Sequence, residues 1–383
     1  MRAETQLADE IFITRSMAAE VGAGVLAGLR LAVKDNIDGA GWVNGSGTPG
    51  WAEGRAAAEV DAPVLAALMA EGAQMVGRTV MDELAFSLMG RNAHYGTPPN
   101  GAAPERLPGG SSSGSAAAVS CGAADIALGT DTGGSVRLPA AWCGLHGLRT
   151  THGAVPMAGV TPLAPSFDVV GWFARSAARM AAVAQVCGLA RRGGFARVWM
   201  PGALWVGAAP ALREAAERVI EGRAVEDAAL PECGMDRGEV FRRVQAVEAW
   251  AALGDFVTER GAGLAPDVRA RFEAGREMPP GDYEAAVVAR ARFAAAMEEA
   301  LACDTLLLMP TTPDPAPMRD AAPEVLDRTR GRAIGLLSVA GLAGLPQYAL
   351  PVANPDGPPL SLSLIAAPGR DADLIEIAEQ MEP

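Results

Sequence analysis

The chain has 383 residues, half of them hydrophobic and a fifth charged, with a formal net charge of −13. Such a composition can bury a sizeable core and excludes a wholly disordered chain, and its acidity argues against a nucleic-acid partner, because an acidic surface repels phosphate backbones. The five cysteines, Cys121, Cys143, Cys187, Cys233 and Cys303, are odd in number and form no CxxC pair, which excludes an evident disulfide framework or zinc site.

The amino-terminal MRAETQLADE lacks the apolar core of a signal peptide. No uninterrupted apolar stretch reaches the roughly 18 residues needed to span a bilayer. A soluble cytoplasmic protein with no membrane partner is therefore expected. Leu31-Ala-Val-Lys34 reads as an apolar, strand-like run that ends on a lysine. Over residues 61–80 a helix precedes a strand: Asp61 is the expected cap and Pro63 fits the first turn. Val64, Leu65, Leu68 and Met69 form the apolar stripe, Gly72 ends the helix, and Gln74–Val76 starts the strand. Residues 115–124 are small and helix-compatible, and Ile126–Leu128 reads as a short buried strand. Alternating helix and strand signals predict an α/β layer architecture.

Residues 176–302 read as mostly helical. Leu212, Ala216 and Val219 recur at helical spacing, as do Val240, Val244, Val247 and Ala251, and 282–301 forms a further long helix. Thr305–Met309 is an apolar run ended by Pro310, which predicts a core strand. A proline-rich surface loop is expected over 310–323 and another helix over 331–342. No internal repeat and no clear linker divide the chain, so residues 1–383 are expected to form a single domain.

Two Gly/Ser-rich stretches carry the chemistry: Pro108-Gly-Gly-Ser-Ser-Ser-Gly-Ser115 and Gly129-Thr-Asp-Thr-Gly-Gly-Ser135-Val-Arg137. Glycine lets backbone approach a ligand closely and aim several N–H groups at one spot, and serines at such places are candidate nucleophiles. A serine hydroxyl needs a base. His94, His146 and His152 leave a Ser-His-Asp triad open, although no GxSxG context surrounds Ser135. The other candidate is Lys34, because burial disfavours an ammonium ion and makes a lysine a usable base near neutrality.

Taken together, AVKDNID, GGSSSGS and GTDTGGSVRLPA resemble the amidase signature family, in which two essential serines lie 24 positions apart downstream of a lysine. Ser111 and Ser135 have that separation here, and Lys34 lies in the matching VKDN. Met81-Asp-Glu-Leu-Ala-Phe86, His94-Tyr-Gly-Thr-Pro98 and Ser166-Phe-Asp-Val-Val-Gly-Trp172 resemble the plant indole-3-acetamide hydrolase branch. The resemblance implies an α/β fold with a mixed, twisted central sheet covered by helices on both faces. It divides the single domain into a signature core over about 30–175, a helical variable region over about 176–302, and C-terminal strands and a helix over about 303–383.

The resemblance also implies a mechanism. Ser135 is the nucleophile, and Ser111, in a cis conformation, passes its proton to neutral Lys34. The backbone N–H groups of Thr132, Gly133, Gly134 and Ser135 form the oxyanion hole, without metal or organic cofactor. Supporting roles are expected for Ser112, which either orients Lys34 or caps the following helix, and for Asp131 and Arg137, which either pair to hold the nucleophile loop, the favoured reading, or are ordinary solvated charges. Serine at 113 replaces the glycine common in the wider family, and the plant-like branch accepts it. Asp168 is a structural candidate near the site. His94 and Tyr95 either line an entrance or serve structurally. Cys143 packs in the core, as do Met157, Leu163 and Trp172 unless they wall a pocket.

The expected activity is hydrolysis of a small primary carboxamide, of the aryl- or alkyl-acetamide class, with that amide as the partner. Three alternatives stand beside it. One is the glutaminase subunit of a tRNA-dependent amidotransferase, which usually carries a longer stretch ahead of its lysine than the 33 residues here. Another is a hydrolase of urea-type, allophanate-like amides. The last is a catalytically silent binding module, disfavoured by the retention of Lys34, Ser111 and Ser135. Oligomeric state is open, a homodimer included.

Overall fold

In the computed structural model, which describes residues 7, 9–16, 22–301, 304–355 and 357–382, the apolar runs pair into one mixed sheet of eleven strands. The strands are β1 (Phe12–Arg15), β2 (Arg30–Lys34), β3 (Gln74–Thr79), β4 (Ile126–Asp131), β5 (His146–Arg149), β6 (Val169–Ala174), β7 (Arg197–Trp199), β8 (Ala224–Glu226), β9 (Thr305–Pro310), β10 (Gln347–Val352) and β11 (Leu360–Ile365). Their spatial order is β1-β3-β2-β4-β6-β5-β10-β11-β9-β7-β8. The β3-β2-β4 and β9-β7-β8 neighbours are parallel, and the remaining pairs are antiparallel.

Side chains alternate across a strand, so the partners of successive residues show which faces are covered. In β9, Leu306 and Leu308 share a buried cluster with Val183, Leu212, Val219 and Ile375, from the helices Ala177–Val186, Pro210–Ile220 and Asp371–Met381. Leu307 and Met309 point the other way, into a cluster with Phe241, Phe293 and Leu337 from the helices Arg237–Arg260, Pro280–Ala300 and Pro323–Ala343. In β2, Leu31 and Val33 join the first cluster while Ala32 packs with Ala117 and Val136 on the opposite side. Helices therefore cover both faces, as expected, and the central strands read as near-continuous apolar runs for that reason. No helix among the described residues is long and apolar enough to cross a membrane.

Proline opens many of the helices. Pro63, Pro210, Pro266, Pro280 and Pro323 occupy first-turn positions, where their fixed φ is pre-organised and no N–H is missed. Asp61 does not cap Pro63–Ala70: the N-cap position falls on Ala62, and Asp61 Oδ1 instead accepts the Ala40 N–H at 2.7 Å. The region 176–302 is not purely helical, since β7 and β8 lie within it and extend the sheet. Both are three residues long, too short for a strand period to show, and β8 is exposed throughout. On the helix Arg237–Arg260 the buried face runs through Val240, Phe241, Val244, Gln245, Ala249, Leu253 and Val257. The expected stripe drifts off that face: Val247 is half-buried and Ala251 exposed. Cys303 lies outside the described residues.

Two-sided cover makes a direct prediction. Leu307→Ala and Leu308→Ala, neighbours that point in opposite directions, should each lower unfolding free energy by about 2–5 kcal/mol in urea titrations. A near-neutral result for either one would mean that its face of the sheet is uncovered.

Candidate active site

Lys34 is the last residue of β2. Parallel pairing sets Val33 opposite Leu128, so the chain beyond each strand emerges at the same edge, and Thr130 of β4 comes beside Lys34. The Lys34 side chain is fully buried. Its Nζ lies 2.8 Å from Ser111 Oγ, 2.7 Å from Thr130 Oγ1 and 3.4 Å from the Thr130 carbonyl. Asn36 Nδ2 donates to the same Thr130 hydroxyl at 3.1 Å. Burial is the dominant influence on the amine and brings its pKa down to about 7, against the upward pull of Asp82, Asp131 and Asp168. Asp82 is itself fully buried; burial lifts its pKa to about 6, partly offset by the Gly90 N–H it accepts at 3.0 Å.

Ser111 follows a cis peptide bond from Gly110. Its carbonyl accepts the Asp82 N–H at 3.0 Å, and the neighbouring Ser112 N–H donates to the Ser135 carbonyl at 3.3 Å, which joins the two Gly/Ser-rich stretches. Ser112 takes neither expected role. Its hydroxyl makes no cap bond to the helix Ser113–Ser120 and no bond to Lys34. It sits against the backbone of Thr130 instead, donating to the carbonyl at 3.3 Å and lying 3.4 Å from the N–H. Ser112 thus holds β4 in place, and through it the residue that contacts Lys34.

Ser135 lies on the turn between β4 and the helix Arg137–Trp142, and its side chain is buried but for a small fraction. Gly134 has φ of +125°, where a side chain is strained, and a Cβ on Gly133 would meet the Phe241 ring at 2.6 Å. Asp131 organises this turn from within. Its carboxylate accepts from the Gly134 N–H (2.9 Å), the Val136 N–H (3.0 Å) and the Arg137 guanidinium (2.7 and 3.0 Å). Arg149 adds a contact at 3.2 Å. Arg137 also donates to the Leu337 carbonyl at 2.7 Å and to Gln347 Oε1 at 2.5 Å, tying the turn to the helix Pro323–Ala343 and to β10. Burial alone would raise the Asp131 carboxyl; Arg137, Arg149 and the Val136 N–H override it and hold the group well below the usual carboxylate range.

The Asp131–Arg137 pairing matches the expectation for the loop. One expected oxyanion donor needs correction: the Gly134 N–H is engaged by Asp131. Among the described residues the N–H groups of Thr132, Gly133 and Ser135 have no backbone or side-chain acceptor. The Ser135 hydroxyl likewise makes no hydrogen bond to Ser111 or to any histidine. His94 faces Glu83 (3.3 Å) and Thr48 (3.4 Å), His146 is held by Tyr348 and Glu382 (2.7 and 2.9 Å), and His152 meets the Pro165 carbonyl at 3.0 Å. His94 and Tyr95 both donate backbone N–H groups to Asn92, a structural use. Asp168 accepts from the Thr132 hydroxyl at 2.6 Å and from the Leu163 and Ala164 N–H groups, steadying the start of the nucleophile turn. Trp172, Leu163 and Cys143 are core residues, and Met157 packs against the core.

In front of Ser135 is a narrow slot of about 10 Å³, room for roughly one water, lined by Phe86, Ser87, Leu88, Gly133, Phe241, Gln245, Arg330 and Ile334. Larger cavities elsewhere, of about 870 Å³ beside His146 and about 630 Å³ beside Ala182, touch none of the motif residues. Convergent polar groups rather than size single out the slot. Thr130, Gln245, Phe241 and Arg330 were not legible as site residues. Phe241 and Gln245 do fall one helical turn apart, but nothing local says what that face meets. Among the described residues no group of three or more His, Cys, Asp or Glu side chains is placed to hold a metal ion.

The Amidase family profile matches residues 4–190. The chain is similar to Amidase 1 of Oryza sativa subsp. japonica (36% identity, covering 93% of this chain and 90% of that one). It is also similar to Amidase 1 of Arabidopsis thaliana (33%, 93% of each). Among solved structures, a crystal structure of an amidase superposes with a TM-score of 0.84 at 27% identity, over 99% of this chain and 94% of that one.

The buried charges at the nucleophile turn make the prediction for this site. Asp131→Asn leaves Arg137 and Arg149 in the interior without a counter-charge, and should cost about 3–5 kcal/mol of stability in a denaturation series. A loss below about 0.5 kcal/mol would show that the two guanidinium groups are adequately held by carbonyls alone.

Proposed function

This chain belongs to the amidase family and is a hydrolase of carbon–nitrogen bonds; we propose that it cleaves a small primary carboxamide, of the aryl- or alkyl-acetamide class, to carboxylate and ammonia through an acyl-enzyme on Ser135. The observation that carries this reading is the fully buried Lys34 amine, 2.8 Å from Ser111 Oγ in a segment bonded to the backbone of Ser135.

A neutral amine has two N–H donors and one lone pair. The Thr130 carbonyl and hydroxyl accept the two donors, which leaves the lone pair for the Ser111 O–H. Ser111 can then receive the proton of Ser135 as its own passes to Lys34, while Ser135 Oγ attacks the amide carbon. This is a Ser-Lys form of triad logic, with Ser111 as the relay. The free N–H groups of Thr132, Gly133 and Ser135 are the donors available to the developing oxyanion, each worth about 3–4 kcal/mol of transition-state stabilisation. As the C–N bond breaks, the proton returns from Lys34 through Ser111 to the leaving nitrogen, and ammonia departs. Water then attacks the ester, giving its proton to the same relay, and Ser135 is released with the carboxylate. The slot beside Ser135 is walled by Phe86, Leu88, Phe241 and Ile334.

In an ammonia-release assay over primary amides, Ser135→Ala should abolish turnover. Lys34→Ala should lower kcat by orders of magnitude, because no histidine stands in for the base. Near-normal activity in Lys34→Ala would contradict the relay. The base must be neutral to act, so kcat/KM should rise about tenfold per pH unit below a pKa near 7 and level off above it. A profile that kept rising to pH 10 would place the proton-accepting group outside the buried pocket.

A further inference from the structure

The relay puts a proton on Lys34 in every cycle, so the site that buries a neutral amine must also hold an ammonium ion. An ammonium ion sealed from water is costly unless a negative charge lies within its field. Three carboxylates bear on the amine: Asp82, Asp131 and Asp168. Asp131 is engaged by Arg137 and Arg149 at 2.7 and 3.2 Å. Asp168 is taken up by the Thr132 hydroxyl and by the Leu163 and Ala164 N–H groups.

Asp82 differs. It is fully buried, and its Oδ2 accepts the Gly90 N–H at 3.0 Å. Oδ1 has no hydrogen-bond partner, and among the described residues the carboxylate makes no ion pair. Besides Lys34, the cation that bears on it is Arg271, which is engaged by the Phe86 carbonyl at 2.8 Å and by Asp267 at 2.7 Å. Backbone contacts fix where this charge sits. The Asp82 N–H donates to the Ser111 carbonyl at 3.0 Å, and a Cβ on Gly110 would meet both carboxylate oxygens at 2.4 Å. The carboxylate is therefore packed on the segment whose next side chain, Ser111, bonds to Lys34. The amine takes its hydrogen bonds from Ser111 and Thr130, so Asp82 acts on it through space. A carboxylate touching the amine would hold it as an ammonium ion and remove the base. One at a short remove stabilises the ammonium ion yet lets it give the proton back.

We propose that the Asp82 carboxylate is the counter-charge for the ammonium ion that Lys34 becomes on receiving the proton of Ser135, a positioning residue that acts through the base. This rests on the amide-hydrolase reading above and deepens it. As Ser135 Oγ bonds to the amide carbon, its proton passes through Ser111 to Lys34 Nζ. Oxyanion and ammonium ion form together, and Asp82 stabilises the second as the turn's N–H groups stabilise the first. When the C–N bond breaks, the proton returns through Ser111 to the leaving nitrogen. Asp82 remains a carboxylate throughout.

The test follows two rates against pH, fluorophosphonate labelling of Ser135 and ammonia release from phenylacetamide, in wild type, Asp82→Asn and Asp82→Ser. In wild type the labelling rate should rise through a midpoint near pH 7. A negative charge near an amine raises its pKa, so both variants should move that midpoint down, by about one pH unit, and lower the plateau of either rate about 3- to 10-fold, because the base is weaker. A packing defect would lower the plateau and leave the midpoint in place. The reciprocal measurement needs no change at Asp82: in Lys34→Met the ¹³Cγ titration of Asp82 should move up by about the same amount, since the coupling of two sites is mutual. A midpoint unmoved in folded Asp82→Asn or Asp82→Ser, or an Asp82 titration unmoved in Lys34→Met, overturns the counter-charge assignment while leaving Lys34 as the base. Undiminished labelling of Ser135 in Lys34→Met would instead overturn the relay itself.

Discussion

A lysine amine sealed from water beneath a serine hydroxyl is the constraint around which this molecule is arranged. To bury Lys34 the fold must supply hydrogen-bond partners that replace its hydration, and it does so with both oxygen atoms of Thr130 and with the Ser111 hydroxyl. Those groups come from separate parts of the chain. They meet because β2 and β4 run parallel and end at one edge, the arrangement that places ligands at the carboxyl ends of strands in α/β sheets. Asn36 steadies the Thr130 hydroxyl, and Ser112 steadies the Thr130 backbone. The surroundings of the amine are thus set by side chains and backbone from β2, β4 and the Ser111–Ser112 segment.

The nucleophile turn answers to a second buried charge. Asp131 stays ionised inside the protein because two arginines and the turn's own N–H groups surround it. Arg137 and Arg149 in turn anchor to the Leu337 and Phe167 carbonyls and to Gln347, so the turn that presents Ser135 is braced by the sheet and by the helix Pro323–Ala343. Preorganisation of this kind is expected where backbone N–H groups must point at a developing charge without moving to meet it. The engagement of the Gly134 N–H by Asp131 belongs to the same logic. The Gly134 and Val136 N–H groups are given to this internal brace, and those of Thr132, Gly133 and Ser135 are left without a protein acceptor among the described residues.

Lys34, Ser111, Ser135, Asp131 and Arg137 were legible in the sequence because each sits in a contiguous motif whose chemistry is local. The central strands were legible because cover on both faces leaves them apolar throughout, as in Thr305–Pro310. What escaped has physical reasons. β7 and β8 are only three residues long, too short to show a period, and β8, at the sheet edge, is exposed throughout. Asp61 has the right residue type for a cap, but a tertiary partner, the Ala40 N–H, claims its carboxylate. Ser112 looked like a cap or a lysine partner because the sequence does not say which strand its hydroxyl will meet. Gln245 and Arg330 lie far along the chain, on helices that reach Ser135 only through the packing of the helical layer against the sheet.

The claim on which the account most depends is that Lys34 is a neutral amine at working pH. The direct measurement is the NMR titration of its side chain, using ¹³Cε and ¹⁵Nζ shifts in selectively labelled protein with Lys34→Ala as the assignment control. A transition near pH 7, well below the value of about 10.4 for a free lysine, is the predicted result. A Lys34 that remained an ammonium ion up to pH 10 would contradict the account, since no buried base would then be present to receive the proton of Ser135.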